Sequence, residues 1–375
     1  MNYILHLTDS CNLNCKYCYQ NKSNNELFIE NIKHIIDYEI KQKNKISNIV
    51  FYGGEPLLKK DMIYQTIEYI NAKRSKTKFY FGMTTNGTLI DDEIINFMKN
   101  NKFINIAYSF DGVKDVQNLN RITLDKKGSF DIVEHNAKKV IKELDNVIAM
   151  VVVTKNNIEK LEESVKYLLE IGFKTINLQF DYTAKWEDCD LQKIKEKYSK
   201  VGQIYYKSIL EEKDINIGVF EEKIKTYIDG KYDCNENCEF GLKTVNVGTD
   251  GKIYPCMQFV YKKEYEIGNC QEGIDFNKRN NLLKKLYKKQ DVCEECNLKK
   301  RCKHSCYCKN YMNTKDMYEV APIICEMEKI IIEISDNIAE QLYKNNSKLF
   351  LQKFYNKKYN LIKGVLDCGN KKCNR

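Results

Sequence analysis

The residues with the richest chemistry in this 375-residue chain are its sixteen cysteines, and their spacing sorts them into groups. Three stand at Cys11-x3-Cys15-x2-Cys18, none follows until Cys189, and ten crowd into residues 234–325. A thiolate is both a nucleophile and a soft metal ligand. Three of them this close together can hold three irons of a four-iron cluster and leave the fourth iron without a protein ligand, where a substrate can bind and be reduced. Structural zinc is the competing reading, but it takes four ligands, and only His6 stands near enough in sequence to be the fourth. The later, denser group marks a region with little core of its own, which a group bonded to sulfur would have to hold together.

Elements must position these sulfurs, and composition says the chain can supply them. At about 150 residues per domain the length allows two or three domains. With 43% hydrophobic residues, 30% charged and 3 prolines, the chain is expected to fold as a soluble protein. Its longest apolar run, 147–154, is far short of the roughly 18 residues of a membrane span, and no basic leader precedes Ser10. The expectation is a cytoplasmic protein with no membrane partner. Its thiols then stay reduced, which favours metal or catalytic use over disulfides. The net charge of +9 would suit an acidic partner, but no basic helix or aromatic RNA-reading motif accompanies it, so nucleic acid is not expected.

From residue 3 to about 180, short β-branched or aromatic runs alternate with helical stretches, the pattern of βαβ units and a parallel sheet. Strands are expected at 3–8, 48–52, 79–84, 104–109, 147–153 and 175–180, with helices at 26–43, 60–73, 92–99, 130–144 and 158–171. The fold class is α/β, a partial (β/α)6 TIM-like barrel or an open doubly wound sheet, with ligands at the carboxyl ends of the strands. Further helices are expected at about 190–212 and 330–343. The expected domains are 1–215 for the barrel, 216–233 for a bridge, 234–330 for the cysteine-rich region and 331–375 for a helix and tail.

The triplet after the first strand resembles that of the radical S-adenosylmethionine (radical SAM) enzymes. In that family the open iron chelates the amino and carboxylate groups of SAM, and a 5′-deoxyadenosyl radical then takes hydrogen from the substrate. The resemblance implies that Cys11, Cys15 and Cys18 hold the catalytic cluster and that Tyr17, between them, belongs to the SAM site. After strand two, Gly53-Gly54-Glu55-Pro56 is similar to the family's GGEP element, where small residues allow close backbone approach and a carboxylate can meet an ammonium. By the same resemblance Asn86 lies near the SAM methionine, Ser109 bonds the ribose and Arg121 pairs with the carboxylate, for which a guanidinium fork is suited. Asp111 and Gln179 complete the expected cofactor-binding set. Taken by themselves, Ser109 and Asp111 also read as turn caps.

Cys238-x12-Gly251-x4-Cys256, Cys293-x2-Cys296-x5-Cys302-x3-Cys306 and Cys325 match the seven cysteines of the SPASM extension of peptide-modifying radical SAM enzymes. That resemblance implies two auxiliary clusters, one on Cys293, Cys296, Cys302 and Cys325, the other on Cys238, Cys256 and Cys306 with Cys234 as the remaining ligand. Two zinc sites are the alternative for this region. The other five cysteines, Cys189, Cys270, Cys308, Cys368 and Cys373, are expected to be mostly inert. The cofactors implied are three [4Fe-4S] clusters and SAM.

Together the resemblances imply a maturase of a ribosomally synthesised precursor peptide. In place of the aspartate that anaerobic sulfatase maturases carry after the cysteine of the Gly-x4-Cys element, this chain has Met257. Residues 255–259 resemble the thioether-forming maturases, so a carbon–sulfur crosslink is the expected product. Carbon–carbon crosslinking, epimerisation and sulfatase-type maturation stay open, as does a non-enzymatic iron–sulfur electron carrier. A flavodoxin- or ferredoxin-like electron donor is implied. With the first strand starting at Tyr3, a leader-binding domain is expected to be a separate protein, if the enzyme uses one.

Overall fold

The computed structural model describes residues 1–232, 240–286, 291–303 and 306–355, with the backbone alone for 285–286 and 291–292. In chain order the elements are β1 (Asn2–His6), α1 (Ile29–Lys41), β2 (Ile46–Tyr52), α2 (Lys60–Ala72), β3 (Lys78–Thr85), α3 (Asp92–Asn100) and β4 (Phe103–Ser109). Next come α4 (Lys114–Asn120), α5 (Phe130–Glu143), β5 (Val147–Val153), α6 (Leu161–Glu170), β6 (Thr175–Phe180), α7 (Asp188–Leu210), β7 (Asn216–Ile217) and α8 (Gly218–Asp229). The remainder holds β8 (Thr244–Val247), β9 (Lys252–Tyr254), β10 (Gly268–Asn269), β11 (Gly273–Ile274), α9 (Phe276–Leu286), α10 (Asp291–Glu294), α11 (Tyr307–Thr314), α12 (Pro322–Lys344) and α13 (Lys348–Tyr355).

The chain divides into two compact units. The first comprises Met1–Phe110, Gln117–Val147 and Cys238–Lys288. Its strands run in the order β11-β10-β9-β8-β1-β2-β3-β4. From β8 through β1, β2 and β3 to β4 the neighbours are parallel, while β8 to β11 form an antiparallel meander. The βαβ pattern dictates this: in β2 Ser47, Ile49 and Phe51 are buried and alternate with half-buried neighbours, as a period-2 strand requires. Helix α1 buries Ile32, Ile35, Ile36 and Glu39, the spacing of one helical face. The isolated early cysteine loop and the segment 240–286 therefore fold within one unit, since β8 adds to β1 in parallel.

The second unit comprises Asp111–Val116, Ile148–Asn237 and Lys289–Arg375. Here β5, β6 and β7 pair in parallel. The long helices α7 and α12 pack together where Gly202 lets them approach: a Cβ there would lie 3.0 Å from Ile334 and Ile338. Helix α12 buries Met327, Ile331, Ile334, Ile338 and Leu342, a stripe of three- and four-residue steps.

The α/β class with parallel strands is as expected, and the six expected strands are present with ends shifted by at most two residues. The stretch read as a bridge contains β7 and α8; a two-residue strand is too short to show a period, and the helix opens on Gly218, a poor helix former. Helix α4 likewise escaped the pattern, having only seven residues. Helix α12 begins eight residues before its expected start, with Pro322 in its first turn, a position where the missing N–H costs nothing. No helix among the described residues is long and apolar enough to cross a membrane.

Candidate active site

The cysteine loop leaves the carboxyl end of β1. Within it Cys18 N donates to Cys15 O at 3.1 Å, a tight turn that brings the second and third cysteines together. The Leu13 amide donates to Cys11 Sγ at 3.4 Å, and Asn86 Nδ2 does so at 3.7 Å. Burial pushes the Cys11 thiol up to about 11, and these two donors oppose it, as they would for a ligating thiolate. Three sulfurs on one eight-residue loop, with N–H groups aimed at the first, form a donor set that fits an iron–sulfur cluster.

The two glycines after β2 serve the packing of this loop. Gly54 N donates to Thr8 O at 2.7 Å and Glu55 N to Ser10 O at 3.0 Å, so the two loops lie backbone against backbone. A Cβ on Gly54 would fall 2.2 Å from Ser10 O, and one on Gly53, which has φ of +140°, 2.4 Å from Thr8 O. Only glycine fits.

Glu55 is fully buried. Its carboxylate accepts from Leu57 N at 3.1 Å, Thr85 Oγ1 at 2.8 Å and Asn86 N at 2.7 Å. Burial raises its carboxyl to about 7, while the three donors act to lower it. It therefore links the β2 and β3 loops and fixes Asn86, whose side chain reaches both Cys11 and Asn12.

Arg121 is buried, and the ring of Tyr17 lies 5.3 Å from its guanidinium carbon, a cation–π contact. Backbone bonds from Asn14 N to Ile122 O and from Lys16 N to Asn120 O tie the cysteine loop to the segment carrying Arg121. Thus Cys11, Cys15, Cys18, Tyr17, Gly53, Gly54, Glu55, Asn86 and Arg121 form one connected constellation in the first unit. Ser109 is half-buried at the end of β4.

In the second unit, Asp111 is fully buried and accepts the Val152 amide at 3.0 Å, a bond that anchors β5, and Gln179 is exposed on β6. Cys234 and Cys238 lie outside the described residues. Cys256, in the first unit, is followed by Met257, whose Sδ accepts from Tyr19 Oη at 3.0 Å; Tyr19 Oη in turn is 2.7 Å from Tyr52 Oη. In the second unit Cys296 N donates to Cys293 O at 3.3 Å, and Cys293, Cys296 and Cys325 interact electrostatically. Cys306 Sγ lies 3.4 Å from Cys308 Sγ.

Sequence reasoning did not single out Asp9. Its buried carboxylate accepts from Ser23 Oγ at 2.9 Å, Thr249 Oγ1 at 3.3 Å and the Tyr261 hydroxyl, tying the loop before Cys11 to residues some 240 positions later. His6, read from the sequence as the one nearby fourth ligand for a zinc site, has its imidazole buried, 3.3 Å from Asn246 Oδ1, and meets the Tyr52 ring edge-on at 4.9 Å. A polar residue at the end of an apolar strand was the only signal for either.

Residues 5–168 match the radical SAM superfamily model. A cysteine-type anaerobic sulfatase-maturating enzyme of Clostridium perfringens (strain 13 / Type A) is 26% identical over 332 residues, covering 80% of this chain and 86% of that protein. An uncharacterized protein of Methanocaldococcus jannaschii is 34% identical over 206 residues, 53% of this chain and 68% of the relative. Among solved structures, anSMEcpe with bound AdoMet aligns with a TM-score of 0.80 at 23% identity, covering 92% of this chain and 95% of its own. Streptococcus suis SuiB bound to S-adenosylmethionine aligns with a TM-score of 0.61 at 16% identity, over 86% and 76% of the two chains. With the cysteine loop at the end of β1 and the fold shared across nearly its whole length, the chain belongs to the radical SAM superfamily of enzymes, whose members use SAM and a [4Fe-4S] cluster.

Proposed function

We propose that this enzyme modifies a ribosomally synthesised precursor peptide by hydrogen abstraction and closes a thioether between a substrate cysteine and a peptide carbon. The observation that carries the reading is the joined constellation of Cys11, Asn86, Glu55 and Arg121 at the ends of β1, β2 and β3 and beside α4. Bound there, the cluster and SAM supply hydrogen-atom abstraction. The chain's own residues do the rest. Cys11, Cys15 and Cys18 hold the cluster, Asn86 orients Cys11, and Glu55 fixes Asn86. Arg121, backed by Tyr17, offers its guanidinium to the SAM carboxylate. Ser109 contributes to SAM binding, and Asp111 acts by anchoring β5. Cys293, Cys296, Cys302 and Cys325 hold one auxiliary cluster.

Peptide substrates are supported by relatives whose structures contain them: anSMEcpe with a Kp18Cys peptide and SuiB with its precursor peptide SuiA. At the position after Cys256 stands a thioether bonded to a phenol, a group with no basicity to deprotonate substrate. That favours crosslinking. The relatives named as sulfatase-maturating enzymes favour a second reading, maturation of a sulfatase. A flavodoxin- or ferredoxin-like protein is the proposed electron donor.

Co-expression with short cysteine-bearing peptides encoded beside the gene separates the two readings. Crosslinking gives a peptide lighter by two hydrogens and without its free thiol. A precursor left intact while a sulfatase-derived cysteine peptide is altered would replace crosslinking by the second reading. In either case, changing Cys11, Cys15 and Cys18 together to alanine abolishes SAM cleavage while the remaining iron stays bound; cleavage by that variant would refute the assignment of the site.

A further inference from the structure

In the second unit, local turns gather three cysteines. Cys296 N donates to Cys293 O at 3.3 Å, Lys299 N to Cys296 O at 3.1 Å and Cys302 N to Lys299 O at 3.5 Å. Bonds within the segment therefore carry the chain from Cys293 to Cys302 in successive steps of three residues. Cys325, the fourth of the proposed set, belongs to a different element, the first turn of α12. Only contacts between segment and helix can bring it to the others.

Two side chains of α12 make such contacts, one on each side of Cys302. Glu328 accepts the Lys303 amide at 3.1 Å, and Asp336 takes the Arg301 guanidinium in a two-pronged pair, with Nη1 to Oδ2 at 2.8 Å. Cys325, Glu328 and Asp336 stand at i, i+3 and i+11 on α12, which is one helical face. Both neighbours of Cys302 are thus pinned to the face that carries Cys325. Helix α8 backs the arrangement. Its buried Lys223 bonds Glu328, its Thr226 Oγ1 accepts from Arg301 Nε at 3.4 Å, and beyond its end Tyr232 N donates to Lys300 O at 3.0 Å.

We propose that Glu328 and Asp336 are positioning residues for an auxiliary iron–sulfur cluster, docking the turns of Cys293, Cys296 and Cys302 on α12 so that Cys325 completes the ligand set. This rests on the reading that those four cysteines bind one cluster. A cysteine-rich stretch with little core of its own would otherwise leave the ligand geometry to the metal. Here hydrogen bonds behind the ligands set it, and they hold the iron more tightly by doing so.

The test uses the full chain, reconstituted anaerobically with iron and sulfide, and follows iron release to a ferrous chelator. The kinetic phase missing from Cys325→Ala belongs to this cluster. Two double variants differ in the acceptor they offer the Lys303 amide. Lys223→Met with Glu328→Gln removes the buried ion pair but keeps a side-chain oxygen, whereas Lys223→Met with Glu328→Leu removes both. In that phase the first pair should release iron at close to the wild-type rate, and the second roughly tenfold faster. Asp336→Ala, at a partly exposed ion pair, should give a smaller acceleration. The change that SAM produces in the electron paramagnetic resonance of the cluster on Cys11, Cys15 and Cys18 should persist in all three, as it would not after a general loss of fold. If the second pair loses that change, Asp336→Ala carries the test alone. Wild-type release from the variant that carries the test would overturn the proposal. Equal acceleration in the two pairs would place the effect in the lost charges and overturn it as well. A Cys325→Ala protein that keeps every phase would overturn it differently, by removing the reading beneath it.

Discussion

The carboxylate of Glu55 accepts the backbone N–H of Asn86 at 2.7 Å, and through that one bond the loop after β2 fixes the side chain that reaches Cys11. The carboxylate thus acts on the cysteine loop through Asn86. Glu55→Ala leaves three buried donors without an acceptor, each costing about 1–3 kcal/mol. Thermal unfolding should register a clear loss of stability in this variant. Glu55→Gln keeps one acceptor oxygen and should fall between it and the wild type. SAM affinity measured by equilibrium dialysis should weaken in the same order, and by more than peptide affinity does. Equal loss of the two affinities would count against the role of Glu55 at the SAM end of the site.

The close approach of Gly54 to Ser10 makes a second prediction. Gly54→Ala puts a Cβ 2.2 Å from a backbone oxygen that cannot swing aside, so the two loops must separate. Overpacking of this kind costs about 1–3 kcal/mol. Denaturant unfolding should show that loss, and reconstitution should yield less iron per chain because the cysteine loop has lost its support. A variant with wild-type stability would show that the loops are free to move apart.

His6 supplies a pH dependence. Burial lowers its imidazole to about 4, from an ordinary value near 6.5, against the opposing hydrogen bond to Asn246. Between those values the unfolded chain binds a proton that the folded chain does not, so stability rises with pH across this window. The contribution is fully present above about pH 6.5 and is lost as pH falls towards 4. Comparing unfolding midpoints at several pH values, the wild type should lose more stability on acidification than His6→Gln does. Parallel curves for the two proteins would show that His6 is not buried neutral.

How much of this was legible beforehand differs from residue to residue. Strand β5 was read to its ends because Val147–Val153 is a continuous β-branched and apolar run, and such a run encodes its own structure. The two-residue β7 and the seven-residue α4 were missed because neither spans enough of a period to stand out. Asp111 was read both as a turn cap and as a cofactor residue. Its carboxylate is buried on the Val152 amide, a partner 41 residues away that no local pattern could name.

By itself the sequence determined the α/β alternation, the three-cysteine loop at the end of β1 and the glycines that let the next loop lie against it, because each is a matter of spacing within a few residues. Tertiary structure alone decided which distant groups meet them. Asp9 finds Thr249 and Tyr261, His6 finds Asn246, Glu55 finds Asn86, Lys223 finds Glu328 and Lys303 finds Glu222. A polar side chain buried among elements from several parts of the chain must be satisfied by whatever those elements carry. That choice is made when the elements pack, and no local spacing records it.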